Sequence, residues 1–564
     1  MKPRLALTSK EKIGVLLSAL ILIFVVITIQ VWYGNVKRVT PLLPGRGSGG
    51  GRVTYSLGYI PGIQKIFASV GKTKEDKLVS LNPEITAAIL PHHTEIGPQI
   101  DKYWSEISQH AKPDVIVVVS PAHWDQGNGL MQTTRGTWET PFGSVRTNDE
   151  VVDVVSRSVG VSDEPASFEN EHGIGVEVPY IAHYFPGVEI VPIIAKSRAG
   201  QIEARKLVDA LIGLKKNILL VTSTDFAHYL PLDVSLAHDQ ETRAAMIEKN
   251  FDLIDQMGPG FLDSSFGLDV YLLWQQHVGC LSKEQWHAHN AQLFSNIGPE
   301  DGTSYFVYFC SEKPLVEITA VGDMMLSRNV GKALAIENSP SVQSQLRATE
   351  LLIKSVSQGT DVLFGNLESV ISTKGKPLSK AYIFEADPKT VNVLKRLGFT
   401  HLSVSNNHSE DYGKEAWEES VQILTDNQIV PVGQYYNEPK IETTKIGAQS
   451  VGFLAFQNLT LPLNSQTVLN AIRETKKTHD LVVVSMHWGI EYEQKANAQQ
   501  ISFAHAMIDA GANLIIGTHP HVLQPIESYH GGVILYSLGN FIFDQIGEVE
   551  NTSEIVSVSF WKEG

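Results

Sequence analysis

A repeated alternation of short apolar runs and helix-forming stretches is the feature that most constrains the fold of this 564-residue chain. Apolar runs of strand length between stretches of helical period are typical of α/β proteins with parallel sheets. A first series of strands is predicted at 87–90, 114–120, 189–194, 218–223 and 304–310, with helices at 148–159, 202–214 and 236–250. A second series is predicted at 316–321, 361–364, 401–404, 451–456, 481–486, 514–516, 532–536 and 555–560.

The two series meet at Glu312, Lys313 and Pro314, which separate two strands. A chain of this length is expected to hold more than one domain. We therefore predict two α/β domains, at 55–312 and 313–564.

The N-terminal region contains an uncharged apolar stretch at 13–33, long enough to cross a bilayer as a helix. Four basic residues precede it, which by the positive-inside rule places the N-terminus in the cytoplasm. They are Lys2, Arg4, Lys10 and Lys12. We predict a cytoplasmic tail at 1–12, a transmembrane helix at 13–33 and a flexible linker at 34–54. An uncleaved single-pass anchor in the cell membrane, with both domains extracytoplasmic, is favoured over a removed signal peptide.

Composition excludes some classes of protein. The net charge of −16, with no block of basic residues, argues against a nucleic-acid partner. The chain has only two cysteines, Cys280 and Cys310, which excludes a disulfide framework and a cysteine-rich zinc site. One disulfide and two buried thiols both remain open.

Side chains of metal-ligand type follow five strands of the second series. They lie in Gly322-Asp323, Asn366-Leu-Glu368, Ser405-Asn-Asn-His408, His487-Trp-Gly489 and His519-Pro-His521. Carboxylates, amides and imidazoles suit divalent cations such as Mn, Fe, Zn or Mg. Such an ion activates a water molecule and neutralises charge on a reacting group. Each motif alone is common as a helix cap or a turn, and their number in one domain favours a site.

These motifs carry a resemblance to a known family. Together with Val321-Gly-Asp-Met-Met-Leu-Ser-Arg328, Ser409-Glu-Asp-Tyr-Gly413 and Tyr536-Ser-Leu-Gly-Asn540, they resemble the CapA-type capsule-biosynthesis proteins of the calcineurin-like metallophosphatase superfamily. The resemblance implies an α/β/β/α sandwich and a role in poly-γ-glutamate-type exopolymer biosynthesis. It also implies that His408 is catalytic, and it implies six metal ligands: Asp323, Glu368, Asn407, His487, His519 and His521. Met325 stands where metallophosphatases usually have a ligand, and Ser409 stands where an acid is usual.

The first series resembles a second family, the Memo-like proteins (AmmeMemoRadiSam system protein B), whose fold is akin to class III extradiol dioxygenases. The motifs are Leu90-Pro-His92, Val119-Ser-Pro-Ala-His123, Thr140-Pro-Phe-Gly143, Glu171-His172, Val178-Pro-Tyr180 and Ser223-Thr-Asp-Phe-Ala-His228. The resemblance implies metal ligands at His92 and His123, with His172, Asp225 and His228 around a second pocket. The family's third ligand is commonly a cysteine, where this chain has Ser265-Phe-Gly267. A metal here would need a rebuilt site, for instance with Glu95. A catalytically idle domain that binds polymer or a partner is the alternative.

The leading expectation is a cell-surface protein of exopolymer biosynthesis with a metal-dependent, hydrolase-like C-terminal domain. The bond that this domain would act on is a phosphoester or an amide. The partners of the protein would be the membrane and an anionic exopolymer or its synthase complex. The alternatives are a non-catalytic scaffold that binds the polymer or synthase, and a metallophosphoesterase unrelated to capsule. An oxygen- or redox-linked role of the Memo-like domain is a further option.

Overall fold

The computed structural model describes residues 53–57, 60–72, 84–295, 297–298, 301–335, 339–460, 463–545, 547, 549–550 and 552–561. Within them the chain forms an N-terminal half, with strands β1–β11, and a C-terminal half, with strands β12–β25. Both halves are mixed α/β.

The N-terminal half is built on one large sheet. Its strands are β1 (Thr54–Ser56), β2 (Ile85–Leu90), β3 (Val115–Pro121), β4 (Met131–Thr133), β5 (Thr137–Thr140), β6 (Gly143–Arg146), β7 (Ser162–Asp163), β8 (Glu189–Ala195), β9 (Ile218–Ser223), β10 (Leu281–His289) and β11 (Ser304–Ser311). Its helices are α1 (Ile63–Ser69), α2 (Gly97–His110), α3 (Asp149–Val159), α4 (His172–Gly175), α5 (Val178–Tyr184), α6 (Gln201–Ile212), α7 (Leu232–Glu248), α8 (Phe251–Ile254), α9 (Ser265–Val278) and α10 (Asn290–Leu293).

Among the described residues this sheet has the strand order β10-β11-β2-β9-β3-β8-β4-β7, and β1, β5 and β6 form a small second sheet. Strands β2, β9, β3 and β8 are parallel, and their residues are mostly apolar and buried. Both faces are covered by apolar cores, which explains why these strands are continuous hydrophobic runs. The carboxyl ends of β2, β9 and β3 therefore lie side by side at one edge of the sheet.

The C-terminal half contains two sheets. Its strands are β12 (Val316–Met324), β13 (Val362–Leu367), β14 (Val370–Ile371), β15 (Glu385–Ala386), β16 (His401–Ser403), β17 (Val430–Val432), β18 (Glu442–Ile446), β19 (Gln449–Gln457), β20 (Leu481–His487), β21 (Leu514–Thr518), β22 (Leu523–Tyr529), β23 (Gly532–Leu538), β24 (Asn540–Ile542) and β25 (Val556–Phe560). Its helices are α11 (Arg328–Leu334), α12 (Pro340–Val356), α13 (Val391–Leu397), α14 (Lys414–Asp426), α15 (Ser465–Lys476) and α16 (Ala498–Asp509).

The two sheets face each other across a shared apolar core. One has the order β17-β16-β13-β12-β24, with β25 also paired to β12, and the other has the order β18-β19-β20-β21-β23-β22. Ile318 and Phe364 of the first sheet pack with Phe453 and Ile516 of the second. Two further cores join the outer faces to helices, so the half is a four-layer sandwich of helices, two sheets and helices.

The prediction of an N-terminal transmembrane helix is corrected. Among the described residues no helix is both long and apolar enough to cross a membrane. The longest, α7 and α12, have 17 residues each and carry charged side chains, whereas a span needs about 20 mostly apolar residues. The predicted helix at 13–33 lies outside the described residues. The single-pass membrane location that depended on it is withdrawn with it.

The two cysteines form a disulfide. Cys280, just after α9, is joined to Cys310 in β11 across a sequence separation of 30 residues. This resolves the choice that the sequence left open between one bridge and two thiols.

Candidate metal centres

The C-terminal half gathers its predicted site residues at the carboxyl ends of both facing sheets. Asp323 lies at the end of β12, and Glu368 directly follows β13. His487 ends β20, and His519 directly follows β21. His521, Asn407 and His408 lie in the loops just beyond strand ends. All six predicted ligands and His408 thus meet in one cluster, hereafter the C-terminal cluster.

Glu368 is the centre of this cluster. Its side chain is fully buried, and its Oε1 lies 3.6 Å from Nε2 of His521, 3.8 Å from Nε2 of His408 and 4.0 Å from Nε2 of His487. Among the described residues neither carboxylate oxygen has a hydrogen-bond partner. Burial, and then the charge of Asp323, raise the pKa of Glu368 well above its usual range. A buried carboxylate without a donor is costly unless a cation balances it.

Asp323 is held rigidly beside Glu368. Its Oδ1 accepts a hydrogen bond from Nδ2 of Asn366 at 2.8 Å, and its Oδ2 accepts one from the backbone N–H of His519 at 3.0 Å. Nδ1 of His521 lies 3.3 Å from Oδ2. Burial alone would raise the pKa of Asp323, but the hydrogen bond and charge of His521 outweigh it and lower the pKa below the ordinary value.

The imidazoles of the cluster suit metal binding because two of them are held neutral. Burial, and then the charge of His519, lower the pKa of His487 far below its usual value. Burial and His521 lower the pKa of His519 to about 4. Neutral imidazole offers a lone pair to a metal ion. His519 and His521 have φ angles of 97° and 57°, and such left-handed backbone at non-glycine residues is typical of functional sites.

Close packing of β21 against its neighbours fixes the loop that carries these two histidines. A Cβ atom on Gly517 would lie 2.1 Å from the carbonyl oxygen of Tyr536. Because Gly517 has none, the indole N–H of Trp488 reaches the same oxygen at 3.1 Å. Only glycine fits at this point of the strand.

Sequence reasoning did not single out Glu491, a further candidate ligand. The donor atoms form two adjoining triplets, Asp323 with Glu368 and His487, and Glu491 with His519 and His521. Glu491 stands four residues after His487, a spacing that was visible in the sequence. Met325, at the position of the absent ligand, is buried, and its sulfur accepts hydrogen bonds from the N–H and hydroxyl of Ser327.

The carboxylate of Asp411 orients the ring of His408. Its Nδ1–H donates to Oδ2 of Asp411 at 2.7 Å, and its ring stacks on Phe384 with 3.9 Å between centroids. Asp411 is itself fixed by Nζ of Lys380 at 2.9 Å and the backbone N–H of Phe384 at 2.8 Å. Nε2 of His408 therefore faces Glu368, which is the geometry of a positioned proton donor. Asn407 Oδ1 accepts from Nε2 of His487 at 2.8 Å.

The N-terminal half brings His92 and His123 together at the ends of β2 and β3. Their Nε2 atoms are 3.2 Å apart. The His172 ring lies against His123 at 3.8 Å between centroids and against His92 at 5.3 Å. Asp225 follows β9, and its Oδ2 lies 3.7 Å from Nε2 of His92. The charge of His228 is among those that lower the pKa of Asp263, so His228 also lies near this group of side chains, hereafter the N-terminal pocket.

Asp263, which sequence reasoning did not single out, completes this pocket. Its Oδ2 lies 3.2 Å from Nε2 of His92 and 3.8 Å from Nε2 of His123. It comes from the loop before α9, two residues ahead of Ser265. Glu95, the ligand suggested from the sequence, instead pairs with Lys65 at the surface. Burial lowers the pKa of His92, but the charges of Asp225 and Asp263 outweigh it and raise that pKa to about 10.

Comparison with known proteins identifies both halves. Residues 317–545 match the family model described as bacterial capsule synthesis protein PGA_cap, and residues 68–259 match the one described as Memo-like protein. The PGA biosynthesis protein CapA of Bacillus subtilis is 33% identical over 263 residues, which are 43% of this chain and 67% of that protein. The chain belongs to the PGA_cap family. Both resemblances read from the sequence are thus confirmed.

Two further relatives agree with this assignment. The capsule biosynthesis protein CapA of Bacillus anthracis is 33% identical over 258 residues, 42% of this chain and 61% of that protein. A MEMO1 family protein of Caldivirga maquilingensis is 32% identical over 163 residues, 28% of this chain and 58% of that protein. In both cases the chain spans less than two thirds of the relative.

The C-terminal cluster of this PGA_cap protein fits a divalent cation by its own chemistry. It combines a buried carboxylate without a donor, a second buried carboxylate and neutral imidazoles. Nδ1 of His519 is likewise buried without a hydrogen-bond partner among the described residues. Oxygen and imidazole donors of this kind suit Mn, Fe, Zn or Mg. The residues are therefore able to hold the ion that the fold family implies.

Proposed function

We propose that the chain is a metal-dependent hydrolase or transferase of capsule biosynthesis, of the poly-γ-glutamate type, with its reaction at the C-terminal cluster. The observation that carries the proposal is Glu368, a fully buried carboxylate without a donor, in contact with three imidazoles. Such a group is costly in a purely structural role. Its surroundings are those of a ligand.

The candidate ligands form two adjoining groups, and other residues hold them in place. Asp323, Glu368 and His487 would hold a divalent cation, with Glu491, His519 and His521 as the adjoining donors. Such an ion, when bound, activates a water molecule and neutralises charge on a phosphoryl or carbonyl group. Asn366 and the backbone N–H of His519 hold Asp323 in place. Outer partners of this kind keep the ligand geometry fixed between turnovers.

Proton transfer would be the task of His408. Asp411 accepts from Nδ1–H, so Nε2 is left to face the reacting group. From that position the ring is able to protonate the leaving oxygen or nitrogen. Lys380 bonds both Asp411 and the carbonyl oxygen of Asn407, and so it ties the proton donor to the ligand loop. Asp411 and Lys380 act as positioning residues.

The position of Arg328 favours an anionic substrate. Its guanidinium carbon lies 5.6 Å from the centroid of the Phe384 ring, which in turn stacks on His408. The side chain is partly exposed, and its carboxylate neighbour, Asp544, lies at 3.4 Å. The cluster itself is rich in carboxylates that repel an anion. A cation beside the proton donor would offset that repulsion and bind a carboxylate or phosphate of the substrate.

The experiment measures metal content and turnover on the full chain. The parent, Glu368→Gln, His519→Ala and His521→Ala are compared with His530→Ala, a surface histidine outside the cluster. The parent and His530→Ala are expected to hold Mn, Zn or Fe and to turn over an aryl phosphate or a γ-glutamyl peptide. The cluster variants should hold less metal than the parent and should lose turnover. Arg328→Gln should raise KM for the charged substrate and leave the metal content unchanged.

The same measurements decide between the alternatives. Equal metal content in the parent and all three cluster variants contradicts the hydrolase proposal and favours a scaffold that binds polymer or a synthase partner. Metal binding with turnover of the aryl phosphate alone favours a phosphoesterase unrelated to capsule. Turnover of the γ-glutamyl peptide places the reaction on an amide bond of the polymer.

A further inference from the structure

Three donor atoms converge in the N-terminal pocket at separations close to those of ligands that share one metal ion. Nε2 of His92, Nε2 of His123 and Oδ2 of Asp263 are separated by 3.2, 3.2 and 3.8 Å. Ligands about 2.0–2.2 Å from one ion lie about 3–3.5 Å from each other. The three atoms come from two strand ends and a loop that is far away in sequence.

The hydrogen bonds made by the Nδ1 atoms of His92 and His123 fix the tautomers of both rings. Nδ1 of His123 lies 2.5 Å from Oε1 of Glu171, a carboxylate that only accepts. Nδ1 of His92 lies 3.1 Å from the hydroxyl of Ser223, which donates toward Glu177 and therefore accepts from the ring. In the neutral rings both Nε2 atoms then carry lone pairs that face each other. Two facing lone pairs need a proton or a metal ion between them, and a ring whose other nitrogen is held by a carboxylate or hydroxyl is typical of metal-binding histidines.

The carboxylates of the pocket supply the matching negative charge. Asp263 Oδ1 is buried without a hydrogen-bond partner among the described residues. Asp225 is buried, its Oδ1 accepts from the backbone N–H of His92 at 3.0 Å, and its Oδ2 faces the ring. Glu171 and Glu177 are also buried. Four carboxylates around two imidazoles form a site for a cation.

No thiolate is available to this pocket. The chain has two cysteines, and both are joined in the Cys280–Cys310 disulfide. Asp263 stands two residues before Ser265-Phe-Gly267, where the resemblance implies a cysteine ligand, and its carboxylate lies beside His92 and His123. An oxygen donor in place of a sulfur donor changes which metals are preferred, because thiolates favour soft ions and carboxylates favour hard ones.

We propose that Asp263 is the third ligand, with His92 and His123, of a metal site that takes a hard divalent cation such as Fe(II) or Mn(II). Two imidazoles and one carboxylate leave further coordination positions open. Asp225, His172 and His228 lie around those positions. This site belongs to the N-terminal half and does not depend on the hydrolase proposed for the C-terminal cluster.

The test counts ions on the full chain. The parent, Asp263→Asn, Asp263→Cys and His521→Ala are equilibrated without oxygen in separate samples of Fe(II), Mn(II) and Cu(I). They are then desalted and analysed by mass spectrometry for metal content, and Mn(II) affinity is followed by electron paramagnetic resonance. Asp263→Asn is expected to hold about one hard ion fewer than the parent, with the affinity of that site at least about tenfold weaker. His521→Ala should keep that ion. Asp263→Cys should shift the preference toward Cu(I).

A control variant and a second Asp263 variant show whether a change in metal binding is specific to Asp263. Asp233→Asn, an exposed carboxylate change in α7, should bind as the parent does. Equal Fe(II) and Mn(II) binding by the parent and Asp263→Asn would overturn the proposal. If Asp263→Asn does not fold, Asp263→Cys decides, since an unchanged metal preference in that variant also overturns it.

Discussion

At the residue scale, variants of His408 and Asp411 distinguish a role in proton transfer from a role in metal binding. His408→Ala is expected to lower kcat about 10²–10⁴-fold while the bound metal is retained, because its Nδ1 is committed to Asp411. Asp411→Asn should lower kcat less, since the ring is still present but poorly oriented, and Asp411→Glu should restore part of the loss. Steady-state kinetics with metal analysis check this. Loss of metal in His408→Ala, equal to that in His519→Ala, would show that His408 is a ligand.

A second residue-scale prediction concerns the buried carboxyl of Asp269 in α9. Burial first, and then the nearby carboxylate of Asp255, raise its pKa from 3.8 to about 9. The folded state therefore holds this proton where the unfolded state has released it, and the contribution of Asp269 to stability falls as the pH rises from about 4 to 9. Asp269→Asn removes that dependence.

The variant Asp269→Asn is expected to be more stable than the parent by about 1–3 kcal/mol at pH 8, and the gain should shrink toward pH 4. Urea unfolding at several pH values measures it. Asp252→Asn, an exposed change in α8, serves as the control and should show no such trend. A gain that does not vary with pH would contradict the assigned cause.

At the scale of elements, the strands that carry the site were predictable because each is a buried apolar run followed by a polar ligand. All the strands of the two predicted series are present in the structure. Strand β10 (Leu281–His289) was missed because it alternates buried and half-buried residues and contains Lys283 and Glu284. Its sequence resembles that of a surface segment.

The two candidate donors that were missed, Asp263 and Glu491, share one physical reason. Asp263 lies in a loop whose place is set by tertiary pairing, since its backbone N–H donates to the carbonyl oxygen of Asp225 at 3.1 Å. Glu491 lies beyond a strand end, and its side chain reaches His519 and His521 only after folding. Periodicity predicts where strands end, but it does not predict which distant loop closes over them.

The disulfide gives an element-scale prediction. Cys280 and Cys310 tie the end of α9 to β11 and are both buried. The disulfide closes a loop between residues 30 apart in sequence and so lowers the conformational entropy of the unfolded chain. This raises the free energy of unfolding by about 2–4 kcal/mol. The double variant Cys280→Ala with Cys310→Ala should unfold at a lower urea concentration than the parent. If dithiothreitol leaves the unfolding midpoint of the parent unchanged, the assigned stabilisation is wrong.

At the scale of the whole molecule, the two halves are joined by packed and hydrogen-bonded contacts. Helix α12 of the C-terminal half packs on α7 and β10 of the N-terminal half. Oε1 of Gln358 accepts from Nε2 of Gln275 at 3.1 Å and from the backbone N–H of Ser282 at 3.0 Å. Arg347 pairs with Glu248 at 2.9 Å. The two halves therefore share a packed and hydrogen-bonded junction.

A charge contact across this junction joins Lys283 of β10 to Glu317 of β12. Glu317 is fully buried, so removal of its cationic partner leaves a carboxylate without compensation. Lys283→Met should therefore destabilise the protein by about 2–4 kcal/mol. Lys313→Met, which removes an exposed lysine 3.7 Å from Asp361, should cost at most about 1 kcal/mol. Calorimetry distinguishes the two: in Lys283→Met we expect the unfolding of both halves to shift to lower temperature, because the pair spans them. Equal melting curves for the two variants would show that the Lys283–Glu317 pair does not stabilise the protein.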